Sequence, residues 1–259
     1  MPEPSLNTVH NAIRLLSLFS REQRQLGLTD MAHSLGLTKQ STLRLLNTLA
    51  ESGLIERVPG QAKYQLGLRL WELGCKAIDR WGQQERLHAI LERLVQESGF
   101  NAFLTAYSHG NAILIDKVEG SHVIQMSAPL GRRWSTVSMA TGRPLLAFQP
   151  DDEIDRVLSA EIPRLTDATL TSPDELRQEL RQIRREGVAI DRGEWSEHIW
   201  AVGAPVFDAS ARVAFAITAS GLAGDVQKAP LEHLVSLVQD AASTLSRALG
   251  APPNAAELY

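Results

Sequence analysis

Apolar positions recur at helical spacing over the first fifty residues of the chain and give way to alternation just beyond them. Val9, Ala12, Ile13, Leu16 and Phe19 follow an i, i+3, i+4, i+7 series that predicts a helix, with Thr8 placed to cap it. Leu28, Met31, Ala32 and Leu35 predict a short second helix, with Thr29 at its start and Gly36 as the left-handed residue that ends it. A third helix is expected from Thr38, its cap, to Gly53, with Leu43, Leu46 and Leu49 turned toward a core. The following LIERVPGQAKYQLG alternates about Pro59 and Gly60 and reads as a two-stranded ribbon.

Helix, short helix, tight connection, longer helix and hairpin make the plan of a winged helix-turn-helix. The third helix opens with more hydrogen-bond donors than a buried helix needs. In this motif its leading turns enter the major groove, where base edges offer donors and acceptors to such side chains. Thr38, Lys39, Gln40, Ser41, Thr42 and Arg44 are therefore candidate DNA contacts, and Gln61 and Lys63 are candidate wing contacts to phosphate or minor groove. Capping alone also produces polar first turns, so solvated surface is the alternative for any one of them.

Residues 66–82 (LGLRLWELGCKAIDRWG) are amphipathic, with Leu68, Trp71, Cys75 and Ile78 on one side. They read as a linker helix whose stripe suits pairing with its twin in a dimer. Cys75 is expected as buried packing, since no nearby His or cation would activate it. A helix carrying Leu87, Ile90, Leu91, Leu94 and Val95 then stops at Gly99. Beyond it the period changes, and 101–108, 112–118 and 122–128 read as a β-meander. Helices are expected at 140–148, at 151–158 and after the capping box Ser172 to Glu175, which has Pro173 at its first helical position. Strands near 199–207 and 212–220 flank a DASA turn. The last helix, 230–249, shows Leu231, Leu234, Val235, Val238 and Leu245, and the tail APPNAAELY is expected to be loose. The fold class is α+β: a winged helix-turn-helix over 1–66, a linker helix over 67–82, and over 83–259 a mainly antiparallel sheet of five or six strands with helices.

Composition narrows the function. At 44% apolar and 22% charged residues the 259-residue chain is an ordinary globular one, long enough for two cores. Its single cysteine forbids an internal disulfide and a cysteine-based zinc cluster, and fits a reducing cytoplasm. No apolar run is long enough to span a bilayer, and MPEPSLNTVH lacks the order of a signal peptide, so the expectation is a cytoplasmic protein with no membrane partner. Charge is uneven: residues 1–70 carry eight Lys or Arg against five acids, +3 within a total of −4, which leaves −7 for the remainder. Only the N-terminal part tolerates a polyanion.

Taken together, LTDMAHSLGLTKQSTLRLLNTLAESGLIER, KYQLGLRLWELG, MATGRPLLAF, GVAIDRGEW and GAPVFDASARVAFAITASG resemble the IclR family of bacterial transcriptional regulators over nearly the whole chain. The resemblance implies a winged helix, a linker helix and a C-terminal effector-binding domain of GAF or PAS-like shape, working as a dimer or a dimer of dimers on partly palindromic double-stranded DNA. Repression is the expected sign. By position it also implies a small-molecule pocket lined by Ser138, Met139, Ala140 and Thr141, then Asp191, Ala201, Thr218 and Ser220. Many members have a cysteine where this chain has Ala201 and a lysine where it has Arg143. Those with the cysteine often bind small polar acids.

The residues carry their own reading beside this one. Thr218 and Ser220 lie two apart on a strand and share a face, and the opening of the 140s helix offers backbone N–H groups, a combination suited to a carboxylate. Trp134, Trp195, Trp200 and His198 fall in the same segments and suit a flat aromatic or cyclic ligand, with core packing as the alternative for each tryptophan. Asp191 has an alternative role as a turn aspartate before Gly193. Enzyme readings are weaker. Asp191, Ser196 and His198 are triad residue types, yet no G-x-S-x-G elbow is present and they sit too close in sequence. Glu85 with His88, and Glu194 with His198, have metal-ligand spacing but lack an obvious third ligand. No catalytic residue, metal or cofactor is expected.

Overall fold

In α1 (Asn7–Leu16) the buried side chain is Leu15, while Val9 and Ile13 are exposed, so the buried face is rotated from the one its apolar spacing suggests. Leu6 occupies the cap position without a side-chain bond, and Thr8 lies inside the helix. A strand that the alternation does not announce, β1 (Leu26–Gly27), runs straight into α2 (Leu28–Leu35), so that Gly27 rather than Thr29 precedes the helix. Gly36, at φ 67°, closes α2 in the left-handed region that favours glycine. Thr38 then caps α3 (Lys39–Glu51), its Oγ1 accepting the Ser41 N–H at 3.1 Å. The hairpin β2 (Ile55–Arg57) and β3 (Lys63–Leu66) pairs antiparallel, and β1 adds to β3 to give the order β1-β3-β2. Leu15, Met31, Leu35, Leu46, Leu49, Ile55 and Tyr64 form the core of this part. The helix α4 (Arg69–Asp79) follows. Cys75 and Trp71 are exposed on it, as is Leu68 just ahead of it, and among the described residues of this unit none covers the face they share. The expectation of a packed cysteine is therefore corrected.

The computed structural model describes residues 6–20, 22–79, 84–120, 128–226 and 230–258, and the chain divides into two units, residues 1–82 and 83–259. The second unit begins with α5 (Gln84–Ser98), which buries Leu87, Leu91 and Leu94. Next come β4 (Asn101–Ser108), β5 (Asn111–Val118), β6 (Arg133–Ser135), α6 (Arg143–Ala147), α7 (Asp151–Leu158) and α8 (Pro173–Glu186). They are followed by β7 (Ala189–Arg192), β8 (Ile199–Phe207), β9 (Val213–Leu222), α9 (Ala223–Val226) and α10 (Leu231–Ala248). The expected strand over 122–128 falls on residues that lie, save the last, outside those described. Ser172 caps α8 by accepting the Glu175 N–H. The helix expected over 140–148 is confined to α6. The tail is not loose throughout: it forms a 3₁₀ turn, Ala255–Leu258, and Ala255 is buried in the core.

The described strands of this unit make one antiparallel sheet in the order β6-β5-β4-β9-β8-β7. β8 and β9 read as nearly continuous apolar runs because both faces are covered. α5 and α10 pack on one face, against the alternate set that includes Ala102, Leu104, Val202 and Ile217. Against the other lie the segment around residues 138–142 and α6, with α8 packed beyond.

Candidate functional site

On α3 the structure separates the candidate contacts by rotation. Lys39, Gln40, Ser41 and Arg44 are exposed, as are Asn47 and Thr48 further along. Thr42 is 0% exposed and its Oγ1 donates to the Thr38 carbonyl at 3.1 Å. It belongs to the inner face with Leu46 and Leu49, so its assignment as a DNA contact is corrected. Leu43 is the converse case. The spacing puts it in the core, yet it is 38% exposed. It sits one residue, about 100° of helix, beyond the buried Thr42.

Gln61 and Lys63 are exposed at the hairpin, where the Val58 N–H donates to the Lys63 carbonyl and closes the turn. Arg57 is a further basic residue of the wing that the sequence reading missed. It lies opposite Tyr64 in the ladder, and its guanidinium carbon stands 5.8 Å from the centre of the Tyr64 ring, which orients it. The only advance sign of this is an arginine in alternation with Ile55.

In the second unit the register settles which side chains share a face. Phe103 pairs with Thr218, and Thr218 with Gly203; Asn101 pairs with Ser220, Ser220 with Ala201, and Ala201 with Asp191. All of these therefore line one side of the sheet. Trp134 joins them, its ring 6.4 Å from that of Phe103 in an edge-to-face contact. Trp200 does not. It alternates to the opposite face from Ala201 and carries the Arg192 guanidinium 5.9 Å from its ring, so its place in the expected lining is corrected. His198 is exposed ahead of β8.

The segment holding Ser138, Met139, Ala140 and Thr141 is buried against this face and clamped from three strands. Thr105 of β4 donates from Oγ1 to the Thr141 carbonyl at 2.9 Å. The Ala140 carbonyl rests on Gly203 of β8 so closely that a Cβ there would lie 2.2 Å from its oxygen, a contact only glycine permits. Asp191 of β7 accepts the N–H groups of Gly193 at 3.0 Å and Glu194 at 2.8 Å, and is held also by the N–H groups of Trp195 and Ala140. Asp191 is thus the turn aspartate of its alternative reading. Burial pushes its carboxyl up to about 6, against the opposing pull of Arg143 and these donors.

Arg143 is the largest fully buried side chain of the chain's described residues. Its guanidinium donates to Glu179 of α8 at 3.1 Å and to Glu194 of the turn after β7. Burial lowers its pKa while Asp191 and Glu179 oppose that shift. The N–H groups at the opening of α6 are not free for an anion. Those of Gly142 and Arg143 donate to the Met139 carbonyl, Pro144 has none, and that of Leu145 donates to Gly142. The carboxylate site expected there is corrected. Ser220 Oγ donates to the Trp200 carbonyl at 3.2 Å. Thr218 Oγ1, 0% exposed, finds no hydrogen-bond partner among the described residues, and this is costly unless something else supplies one.

Neither metal-ligand pair stands free. His88 Nδ1 lies 2.9 Å from Asp116, and Glu194 is held by Arg143. Among the described residues no three His, Cys, Asp or Glu side chains are grouped to hold a metal ion, and no helix is long and apolar enough to cross a membrane.

A winged helix-turn-helix on one unit and, on the other, an antiparallel sheet with a buried polar face define a two-part DNA-binding regulator. Family models described as "IclR helix-turn-helix domain" and "Bacterial transcriptional regulator IclR C-terminal" match residues 8–59 and 75–247, and the chain belongs to the IclR family of transcriptional regulators. That family is not one of enzymes. The regulator XynR of Escherichia coli is 30% identical over 96% of this chain and 99% of its own. The transcriptional repressor IclR of Escherichia coli is 26% identical over 95% of this chain and 90% of its own. Among solved structures, an IclR regulator from Alicyclobacillus acidocaldarius superposes with a TM-score of 0.81 at 26% identity, covering 95% of this chain and all of that one. An IclR homologue from Microbacterium hydrocarbonoxydans, solved with 4-hydroxybenzoate, gives 0.79 at 21% identity, covering 94% and 99%.

Proposed function

We propose that this regulator acts in the cytoplasm as a repressor, binding a partly palindromic operator as a homodimer or a pair of dimers. In this reading a small organic acid with an aromatic body binds on the Thr218 face and alters affinity for DNA. One observation carries the ligand reading: the partnerless Thr218 hydroxyl stands directly beside Phe103, whose ring meets Trp134. A hydroxyl next to an aromatic wall suits a flat ligand with a polar substituent. Repressors among the relatives support the sign of regulation, and the homologue solved with 4-hydroxybenzoate supports an aromatic acid as ligand.

On the DNA side the exposed set Thr38, Lys39, Gln40, Ser41 and Arg44, with Gln61, Lys63 and Arg57 on the wing, makes the contacts. The exposed stripe of Leu68, Trp71 and Cys75 supports pairing of two copies through α4.

The test is a thermal-shift series on the full chain with 4-hydroxybenzoate, benzoate and short hydroxy acids, run on wild type and Thr218→Val. A true ligand raises the melting temperature with concentration. Thr218→Val keeps the shape and removes an unpartnered hydroxyl, so it should be as stable as wild type or slightly more so, and lose the shift. A shift that persists in Thr218→Val, or no shift with any of these acids, overturns the reading. For the DNA side, Lys39→Ala with Arg44→Ala should lower affinity and reduce the salt slope by about one for each phosphate that is no longer neutralised.

A further inference from the structure

The exposed Leu43 has no place in the core that its spacing implies, and its surroundings on α3 suggest what it meets. Leu45, Leu46 and Leu49 join the apolar cluster of the first unit; Leu43 does not. At about 100° per residue, Leu43 lies between the buried line of Thr42 and Leu46 and the exposed side chains of Gln40 and Asn47, which stand about 40–60° further round. Lys39 precedes it by one turn, and Arg44 is its neighbour. A lone exposed leucine is ordinary on most surfaces. Here it is ringed by two amides and two cations on the helix face offered to DNA, where an apolar group has one complementary feature to contact, the C5-methyl of thymine.

We propose that Leu43 is a specificity-determining residue of the DNA interface, its isobutyl group packing against a thymine methyl in the major groove. The proposal rests on the reading of α3 as the helix that enters the groove. The cations on either side hold the helix to phosphates without regard to sequence, and Gln40 and Asn47 have the donor and acceptor pair that adenine presents to an amide. Leu43 adds discrimination of thymine from cytosine at the base pair beneath it.

Deletion of the one methyl group tests this with the protein untouched. Duplexes are first selected from a random pool by the full-length wild-type protein. Each thymine of the selected site is then replaced singly by deoxyuridine, which keeps the base-pairing edge and removes the C5-methyl. Affinities are measured for wild type and for Leu43→Ala, an exposed position whose truncation leaves the buried face of α3 intact. Wild type should lose about fourfold at one thymine per half-site, the worth of burying a single methyl group. Leu43→Ala should bind the thymine duplex about as weakly as wild type binds its deoxyuridine counterpart, and be indifferent to the replacement. If wild type binds selected duplexes but no deoxyuridine replacement weakens it, the inference is overturned while DNA binding stands. The same follows if Leu43→Ala remains as sensitive as wild type. If the pool yields no bound duplex, the reading of α3 itself fails and this inference with it.

Discussion

Arg143→Met is the sharpest test of how the second unit is held together. The arginine is fully buried, and the carboxylates it joins, Glu179 and Glu194, are only 25% and 14% exposed. At an effective dielectric near 20, unit charges about 3 Å apart attract by about 5 kcal/mol before desolvation is set against it. Removing one partner leaves the others buried and uncompensated, a loss of about 3–5 kcal/mol. Against a total stability of about 5–15 kcal/mol this is large. It should also depend on pH, with a sign fixed by Asp191. That carboxyl is pushed up to about 6 from 3.8 by burial, and Arg143 restrains the shift. An acid whose folded pKa is raised destabilises the fold above that pKa and not below its unfolded value. Without Arg143 the folded pKa climbs further. The loss therefore grows as pH rises through 6 toward the still higher pKa of Asp191 in the variant, and contracts toward pH 5, where Asp191 holds its proton in the fold of both proteins. Hydrogen exchange of the β8 and β9 amides in the intact chain reads the opening free energy of this unit without a two-state melt. Arg143→Lys, which keeps the charge but not the fork that reaches two carboxylates, should recover part of the loss. A change below about 1 kcal/mol for Arg143→Met at pH 7 would refute the reasoning, and so would a loss greater at pH 5 than at pH 7.

Thr38→Ala removes the cap that accepts the Ser41 N–H and should lower the stability of the first unit by about 1 kcal/mol, read as faster exchange at the Ser41 amide. Thr42→Val should change the stability of the first unit by less than about 1 kcal/mol and leave the salt slope of DNA binding where it is, since the Thr38 carbonyl that loses the hydroxyl still accepts the Thr42 N–H at 3.0 Å; a reduced slope would return Thr42 to the interface. Gly203→Ala sets a methyl 2.2 Å from the Ala140 oxygen and should cost about 1–3 kcal/mol or more, seen as a lower melting temperature of the full chain; an unchanged melt would show that the 138–142 segment is loosely seated.

Element type was legible wherever one face of an element is wet. α3, α8 and α10 announce themselves by period; the β4–β5 hairpin, whose first strand is buried on both faces, is marked instead by short runs parted at His109, Gly110 and Asn111. The misreadings have a common cause. β1 and β6 have two and three residues, too few to show a period, and exist because a neighbouring strand has an open edge. The helix expected over 140–148 is short because residues 138–142 are drawn onto the sheet by contacts from Thr105, Gly203 and Asp191, each remote in sequence. Thr42 and Leu43 exchanged their expected places since rotation about a helix axis is set by what packs on it, and a threonine whose hydroxyl returns to its own backbone suits a core as well as an aliphatic residue does. Trp200 was misplaced by nearness in sequence. One residue along a strand reverses the face.

The buried polar groups of the second unit are where sequence says least and partner accounting says most. Asp191, Ser220, Thr105 and Thr218 look alike in the chain, as polar residues amid apolar strands. In the fold the first three are committed: Asp191 to backbone N–H groups of the turn and of Ala140, Ser220 to the Trp200 carbonyl, Thr105 to the Thr141 carbonyl. A ligand that took them over would have to break an architectural bond for each one it made, with little net gain. Thr218 carries no such obligation, so a partner for its hydroxyl is nearly pure gain. In the proposed reading, ligand selection on this face turns on the Thr218 hydroxyl and an aromatic wall rather than on a charged clasp: the terminal nitrogens of the buried cation nearby, Arg143, already serve Glu179 and Glu194, which leaves its Nε alone without a partner among the described residues. Affinity should accordingly follow the fit of the ligand's body against Phe103 and Trp134, with 4-hydroxybenzoate outranking a short aliphatic hydroxy acid, and the reverse order would show that a cation not identified among these groups takes part.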